Sequence, residues 1–209
     1  MVRILIGDDH AIVRRGLKQI VEESSEMTVD EAKNGHEVLE KTRTIDYDIL
    51  VLDISLPDRS GLDILKHLKS VKPDLPILIL SIHPEEQYAV RVLRAGAAGY
   101  LSKDSASDEL MAAIHKVSRG GKYITASLAE KLAFDLEKTT KTALHETLSD
   151  REFQVMCMIA SGKTVKEIAE SLCLSVKTIS TYRTRILDKM GMKNNAQITH
   201  YAIKNQLVT

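Results

Sequence analysis

Up to Gly120, apolar residues come in short runs that alternate with longer amphipathic stripes. Val2–Ile6 is an apolar run of strand length, and Ile12, Val13, Leu17, Ile20 and Val21 follow at helical spacing between Ala11 and Glu23. Met27–Ala32 reads as a weaker strand and Gly35–Arg43 as a polar helix. Asp48–Leu52 is a third strand; Leu62, Leu65 and Leu68 then mark one side of a helix ending at Lys69. Pro76–Leu80 is a fourth strand, and Glu85–Arg94 a helix closed by Gly96. Tyr100–Leu101 sits in a short fifth strand, and Ser107–Ser118 is a helix stopped by Gly120-Gly121. Five strands alternating with five helices predict an α/β fold: a five-stranded parallel sheet with helices on both faces. Strands covered on both faces should be continuously apolar, and these are read so.

After Gly121 the strand pattern stops. Leu128, Leu132 and Leu136 permit a helix over 127–138, and the polar stretch 139–142 reads as a linker. The rest is helical. Ser149 with Glu152, and Thr164 with Glu167, fit the capping box, while Ser175 can cap a third helix ending at Gly191. Gly162 ends the first of these helices, and a fourth runs from about Asn194 to Lys204. Only a few residues around Cys173–Ser175 join the second and third, which predicts a helix-turn-helix. The domains expected are therefore 1–121, a linker with a helix at 122–146, and an all-α four-helix domain at 147–209.

Composition adds a charge split. The 209-residue chain is neutral overall, yet 16 Lys and Arg face 20 Asp and Glu up to Gly120, and 13 face 9 beyond it. From Ser171 onward six basic residues meet a single acid, which suits a polyanionic partner. Cys157 and Cys173 make no disulfide framework or zinc set; both are expected as small buried or half-buried apolar residues. No leader pattern opens the chain, and no apolar run approaches the roughly 18–20 residues of a membrane span. A cytoplasmic protein without membrane contact is expected.

Ligands of open α/β sheets bind beyond the carboxyl ends of the strands. Asp8 and Asp9 follow the first strand, Asp53 ends the third, Ser81 ends the fourth and Lys103 follows the fifth. Gathered carboxylates repel one another, and a hard cation relieves this. Mg²⁺ takes oxygen ligands, commonly one or two carboxylates together with phosphate oxygens. A lysine and a hydroxyl beside it suit phosphoryl oxygens, so phosphoryl transfer to a carboxylate is the chemistry this set fits. His10, next to the acidic pair, is read as helix-start polarity rather than as a metal ligand.

Asp8-Asp9, the stretch Asp53-Ile54-Ser55-Leu56-Pro57 with Gly61, Ser81, and the stretch from Ala95 to Lys103 resemble the receiver-domain signature in order and spacing. The resemblance implies a flavodoxin-like receiver whose Asp53 accepts phosphate from a sensor histidine kinase. It also implies Mg²⁺ held by Asp8, Asp9, Asp53 and the Ser55 backbone carbonyl, with Ser81 and Tyr100 as switch residues. In the family, phosphorylation draws the hydroxyl toward the phosphate and turns the ring inward. Many receivers have proline after the lysine; here Asp104 follows Lys103.

On the third C-terminal helix, Val176, Ile179, Ile186 and Met190 point to one side. Lys177, Thr181, Thr184 and Asp188 recur on another, flanked by Ser180 and Arg185. Short polar side chains edged by cations suit the major groove. The segment from Leu148 to Tyr182 is similar to the LuxR-type helix-turn-helix of NarL/FixJ response regulators, and Leu172–Ser175 with Lys177-Thr178 and Thr181–Arg183 to its GacA/UvrY branch. That resemblance implies double-stranded DNA as partner. Ser180, Thr181 and Thr184 would face bases, and Lys177, Tyr182, Arg183, Arg185 and Lys189 phosphates. The fourth helix, with Ile198, Tyr201 and Ala202, corresponds to the family's dimerisation surface. A homodimer, formed when phosphorylated, would read an inverted-repeat operator.

The expected function is a phosphorylation-controlled transcription regulator and not an enzyme. A regulator whose receiver serves only protein interaction is one rival. A metal-dependent phosphohydrolase is the other, but such enzymes place the nucleophile after the first strand with a second Asp two residues on. Here Asp53 follows the third strand and Ser55 holds that position.

Overall fold

The computed structural model describes residues 1–83, 85–126, 128–130, 132, 143–205 and 207–208. The chain divides into two compact units, Met1–Leu132 and Ala133–Thr209.

In the first unit, β1 (Val2–Gly7), β2 (Met27–Ala32), β3 (Ile49–Asp53), β4 (Ile77–Ser81) and β5 (Gly99–Ser102) form one parallel sheet in the order β2-β1-β3-β4-β5. The intervening helices are α1 (Ala11–Glu22), α2 (Gly35–Thr44), α3 (Gly61–Val71), α4 (Glu85–Arg94) and α5 (Ala106–Ser118). α1 packs with α5, and α2 with α3. Side chains alternate between faces, so the central strands serve two cores at once. Ile4, Ile6, Ile49, Val51, Leu78 and Leu80 meet Leu17, Val21, Leu110 and Ile114 of α1 and α5. Leu5, Leu50, Leu52, Ile77 and Ile79 are equally buried and point the other way. β3 and β4 are apolar up to the Asp53 and Ser81 that end them because neither face reaches water, whereas β1 and β2 are interrupted by an exposed Arg3 and Thr28 and by half-buried Asp30 and Glu31.

This strand order puts β1 beside β3, the point where the winding reverses and ligands collect. Register does the rest. Gly7 pairs with Leu52 and Asp53 with Leu80, so the residues that follow β1, β3 and β4 leave the sheet together.

The first domain was expected to end at Gly121, but the compact unit continues to Leu132. Tyr123 forms a parallel bridge to Gly99 at the edge of β5, and its hydroxyl donates to Glu109 at 2.7 Å. Lys122 Nζ donates to the Ala97 carbonyl, Thr125 Oγ1 to Glu85 at 2.5 Å, and Leu128 is buried. The segment thus covers an otherwise open sheet edge. The helix expected at 127–138 lies largely, and the linker at 139–142 wholly, outside the described residues.

Among the described residues of the second unit, the first element is a 3₁₀ turn, Leu144–Thr147, that the sequence pattern did not indicate. The unit continues with α6 (Asp150–Ala160), α7 (Val165–Ser171), α8 (Val176–Met190) and α9 (Asn195–Lys204). Both expected capping boxes form, at Ser149/Glu152 and Thr164/Glu167. α6 is the hub, touched by α7, α8 and α9, and all its residues but Arg151 are buried. α8 ends at Gly191, whose φ of +64° a side chain would resist.

Three expectations change here. Cys173 is exposed, not half-buried, and takes φ +52° in the tight turn between α7 and α8. Val176 is 51% exposed: it stands in the first turn of α8, off the line of Ile179, Ile186 and Met190, which are buried. Ile198 and Ala202 are fully buried in this unit's own core. They are therefore not free to form a dimer surface.

Candidate functional site

The acidic site gathers at the carboxyl end of the first unit's sheet. Asp8 is anchored by its amide, which donates to the Ala32 carbonyl at 3.1 Å. Lys103 is anchored likewise: its amide donates to the Ser81 carbonyl at 2.8 Å. Both carboxylates of Asp8 and Asp53 are buried, and Lys103 Nζ lies between them, 2.6 Å from Asp8 Oδ2 and 2.7 Å from Asp53 Oδ2. The second contact is a directed hydrogen bond. The first is a charge contact only, for Asp8 Oδ2 makes no well-directed hydrogen bond. Asp53 Oδ1 accepts from the Ser55 amide at 3.0 Å. Asp9 stands at the rim with its side chain about a third exposed.

Charge does not balance in this pocket. Burial pushes the Asp53 carboxyl up, Lys103 opposes this, Asp8 adds to it, and the net direction is upward. Burial alone would lower the Lys103 ammonium, but the two carboxylates reverse that and raise it. One lysine faces three acids. Ligand atoms from Asp8, Asp9, His10 and Asp53 all lie within 4.8 Å of one another. Oxygen donors of this kind, with a buried Asp8 oxygen lacking a directed donor, fit a hard divalent cation.

Gly61 is held against the back of Asp53. Its amide donates to the Ile54 carbonyl at 2.9 Å, and a Cβ here would meet Ile54 Cα at 2.8 Å and press still harder on the Asp53 carbonyl.

Ser81 is buried and its Oγ accepts from the His83 amide at 3.0 Å. Tyr100 is 1% exposed; its ring already points inward, and its hydroxyl donates to the His83 carbonyl at 2.6 Å. His83 was not singled out in the sequence. It joins both switch positions, reaches Ser55 Oγ at 3.4 Å through Nε2, and packs at a 34° tilt against Tyr88 with ring centres 4.9 Å apart. A lone histidine two residues past a strand carries no signal of that kind.

In the second unit, α8 shows one continuous polar face. Lys177, Ser180, Thr181, Thr184, Arg185 and Asp188 are all exposed and recur at helical spacing. The hydroxyls of Thr181 and Thr184 donate to the Lys177 and Ser180 carbonyls, leaving their oxygens able to accept. The other three expected residues flank this face, and of them Lys189 is itself 43% exposed. Tyr182 is half-buried. Arg183 Nε donates to Asn195 Oδ1 at 2.6 Å, tying α8 to α9. Lys189 Nζ pairs with Glu152 Oε2 at 2.6 Å, tying α8 to the start of α6. Glu152 is buried, yet Lys189 and the Ser149 amide outweigh burial and hold its carboxyl below the ordinary range. On α9, the Tyr201 hydroxyl lies 2.9 Å from His145 Nδ1, and Ile203 is the large apolar residue left exposed.

A receiver-type sheet with an acidic rim, followed by a helix-turn-helix unit, is the make-up of a response regulator with a DNA-binding domain. Residues 4–115 match the family model for the response regulator receiver domain, and residues 146–202 that for bacterial regulatory proteins of the luxR family. The chain belongs to the NarL/FixJ family of two-component response regulators. It is 36% identical over 209 residues to response regulator UvrY of Escherichia coli K12, covering 99% of this chain and 96% of that one. It is 32% identical to response regulator GacA of Pseudomonas protegens, covering 100% and 98%. Among solved structures it is similar to RcsB from Salmonella enterica serovar Typhimurium bound to promoter P1flhDC in the presence of phosphomimetic BeF3−. There the TM-score is 0.66 at 26% identity, over 96% of this chain and 97% of that one.

Proposed function

We propose that the chain is a cytoplasmic transcription regulator in which a sensor histidine kinase phosphorylates Asp53, and that the phosphoryl group controls dimerisation and DNA binding. The buried Asp53 carboxylate, 2.7 Å from the Lys103 ammonium and beside Asp8, carries this reading. A carboxylate oxygen of Asp53 attacks the phosphorus of phosphohistidine. The P–N bond breaks, its electron pair goes to the ring nitrogen, the imidazole, already protonated on its other nitrogen, leaves neutral, and an acyl phosphate remains. Lys103, already in place, pairs with a phosphoryl oxygen. Asp8, Asp9, Asp53 and the Ser55 carbonyl would hold Mg²⁺, which supplies charge neutralisation during transfer. Ser81, with its hydroxyl at the end of β4, and Tyr100, fastened through His83, would relay the change.

On the DNA side, the exposed face of α8 supports Ser180, Thr181 and Thr184 at base edges and Lys177 and Arg185 on phosphates. Tyr182, Arg183 and Lys189 flank that face, and the last two hold the helix in place. The operator would be an inverted repeat read by a homodimer. Among the described residues no helix is long and apolar enough to cross a membrane. No turnover of outside phosphate esters is expected.

Acetyl phosphate with Mg²⁺ should add the mass of one phosphoryl group to the intact protein, labile to hydroxylamine and absent from Asp53→Asn. Equal labelling of Asp53→Asn would refute the assignment.

A further inference from the structure

His10 stands where a helix cap belongs but does not cap. It is the N-cap residue of α1, and its side chain makes no hydrogen bond to the helix's first amides. The ring turns to the acids instead: Nδ1 lies 2.8 Å from Asp9 Oδ1 and 3.2 Å from Asp8 Oδ1. The His10 amide donates to that same Asp8 oxygen at 2.7 Å, so backbone and ring are fixed over one carboxylate. Asp8 is thereby divided, with Oδ2 toward Lys103 and Oδ1 toward His10.

These spacings are those of neighbouring ligands on one ion. With ligand distances of about 2.0–2.1 Å in octahedral geometry, adjacent corners stand about 3 Å apart. The two contacts of Nδ1 straddle that value. Without a cation these are contacts that Nδ1–H makes with the carboxylates, a hydrogen bond in the case of Asp8. The far edge of the ring is open to solvent, its side chain being 60% exposed, so when a cation takes that place the ring proton can be carried on Nε2 and the Nδ1 lone pair turned to the ion.

We propose that His10, through Nδ1, is a direct ligand of the divalent cation held by Asp8, Asp9 and Asp53. Its imidazole turns the site toward transition-metal ions. This rests on the acidic pocket being the metal site proposed above. Carboxylates alone suit Mg²⁺ and Mn²⁺, whereas imidazole suits ions such as Co²⁺, Ni²⁺ and Zn²⁺. A mixed set of three carboxylates, the Ser55 carbonyl and one imidazole therefore favours Co²⁺ over Mg²⁺ by more than the same oxygens do without the ring.

The test uses the full chain, with Mg²⁺ and Co²⁺ titrated separately by calorimetry and Mn²⁺ studied by pulsed EPR. Wild type should show nitrogen coupling to bound Mn²⁺. His10→Gln and His10→Asn, the second of which can cap α1, should lose that coupling. They should also lose about tenfold or more in Co²⁺ affinity, the scale of removing even an outer partner, while Mg²⁺ affinity changes far less. Asp53→Asn reports whether binding occurs at this site. Absence of nitrogen coupling in wild type overturns the ligand assignment and leaves the acidic site standing. So do unchanged Co²⁺ and Mg²⁺ affinities in both His10 variants. Wild type that binds neither ion, or binds them as Asp53→Asn does, overturns the metal site itself.

Discussion

At the scale of single residues, the acidic pocket trades stability for chemistry. The folded-state pKa of Asp53 is raised above its ordinary value, so the native state holds its proton more tightly than the unfolded chain does. Stability then falls as pH rises from the ordinary carboxylate range through that raised value, and at neutral pH the ionised group is a net cost. Asp53→Asn should stabilise the fold by about 0.5–2 kcal/mol in metal-free buffer, seen as a higher melting temperature. Added Mg²⁺ should raise the wild-type melting point and leave that of the variant nearly fixed. A lower melting temperature for Asp53→Asn would contradict the electrostatic reading. Gly61→Ala should act oppositely. Its methyl group would collide with the Asp53 and Ile54 backbone, costing about 1–3 kcal/mol and slowing phosphoryl uptake, measured by denaturation and intact mass. Asp8, Asp9, Asp53, Ser81 and Lys103 could be placed together from sequence because each lies within a few residues of the carboxyl end of an apolar run. The role of His83 was not, since its contacts arise only when the ends of β4 and β5 meet.

At the scale of elements, two helices depend on contacts that periodicity does not reveal. α8 is held by Lys189–Glu152 at one edge and Arg183–Asn195 at the other. The resemblance gives all these cations to phosphate, but the geometry separates them. Replacing Lys177 or Arg185 with Met should reduce the salt dependence of DNA binding by about one unit of slope each. Lys189→Met should change the slope less and destabilise the domain by about 1–2 kcal/mol. Fluorescence anisotropy across a salt series and thermal melts check both. Because the folded pKa of Glu152 is depressed, its contribution is fully present above the ordinary value of 4.5 and is lost as pH falls from there through the lowered folded value. Glu152→Gln should flatten that part of the acid-unfolding curve. The stretch after α5 teaches a similar lesson. Its attachment rests on Tyr123–Gly99, Tyr123–Glu109 and Thr125–Glu85, isolated links with no repeating pattern, so the double glycine looked like the domain's end. Leu128→Ala should cost about 2–3 kcal/mol in unfolding of the first unit, measured by urea denaturation. β3 and β4, by contrast, were readable to within a residue at each end, because burial on both faces leaves no room for polar interruption, while β2, with Thr28 exposed and Asp30 and Glu31 half-buried, gave the weaker pattern.

At the scale of the whole molecule, two units of opposite charge balance meet two kinds of chemistry: an acid-lined pocket and a helix with cations on its open face. The charge split and the capping boxes were visible in the sequence, whereas Cys173, Val176 and the core role of Ile198 depended on how the helices turn and pack. The central claim is that chemistry at Asp53 governs DNA affinity. It is tested most directly by titrating the full chain onto operator DNA, recovered from genome-wide binding, with and without acetyl phosphate and Mg²⁺. Wild type should bind at least about tenfold more tightly when phosphorylated, a coupling of roughly 1.4 kcal/mol, and Asp53→Ala should show no gain. Equal affinity with and without phosphorylation, or an equal gain in Asp53→Ala, would contradict the account.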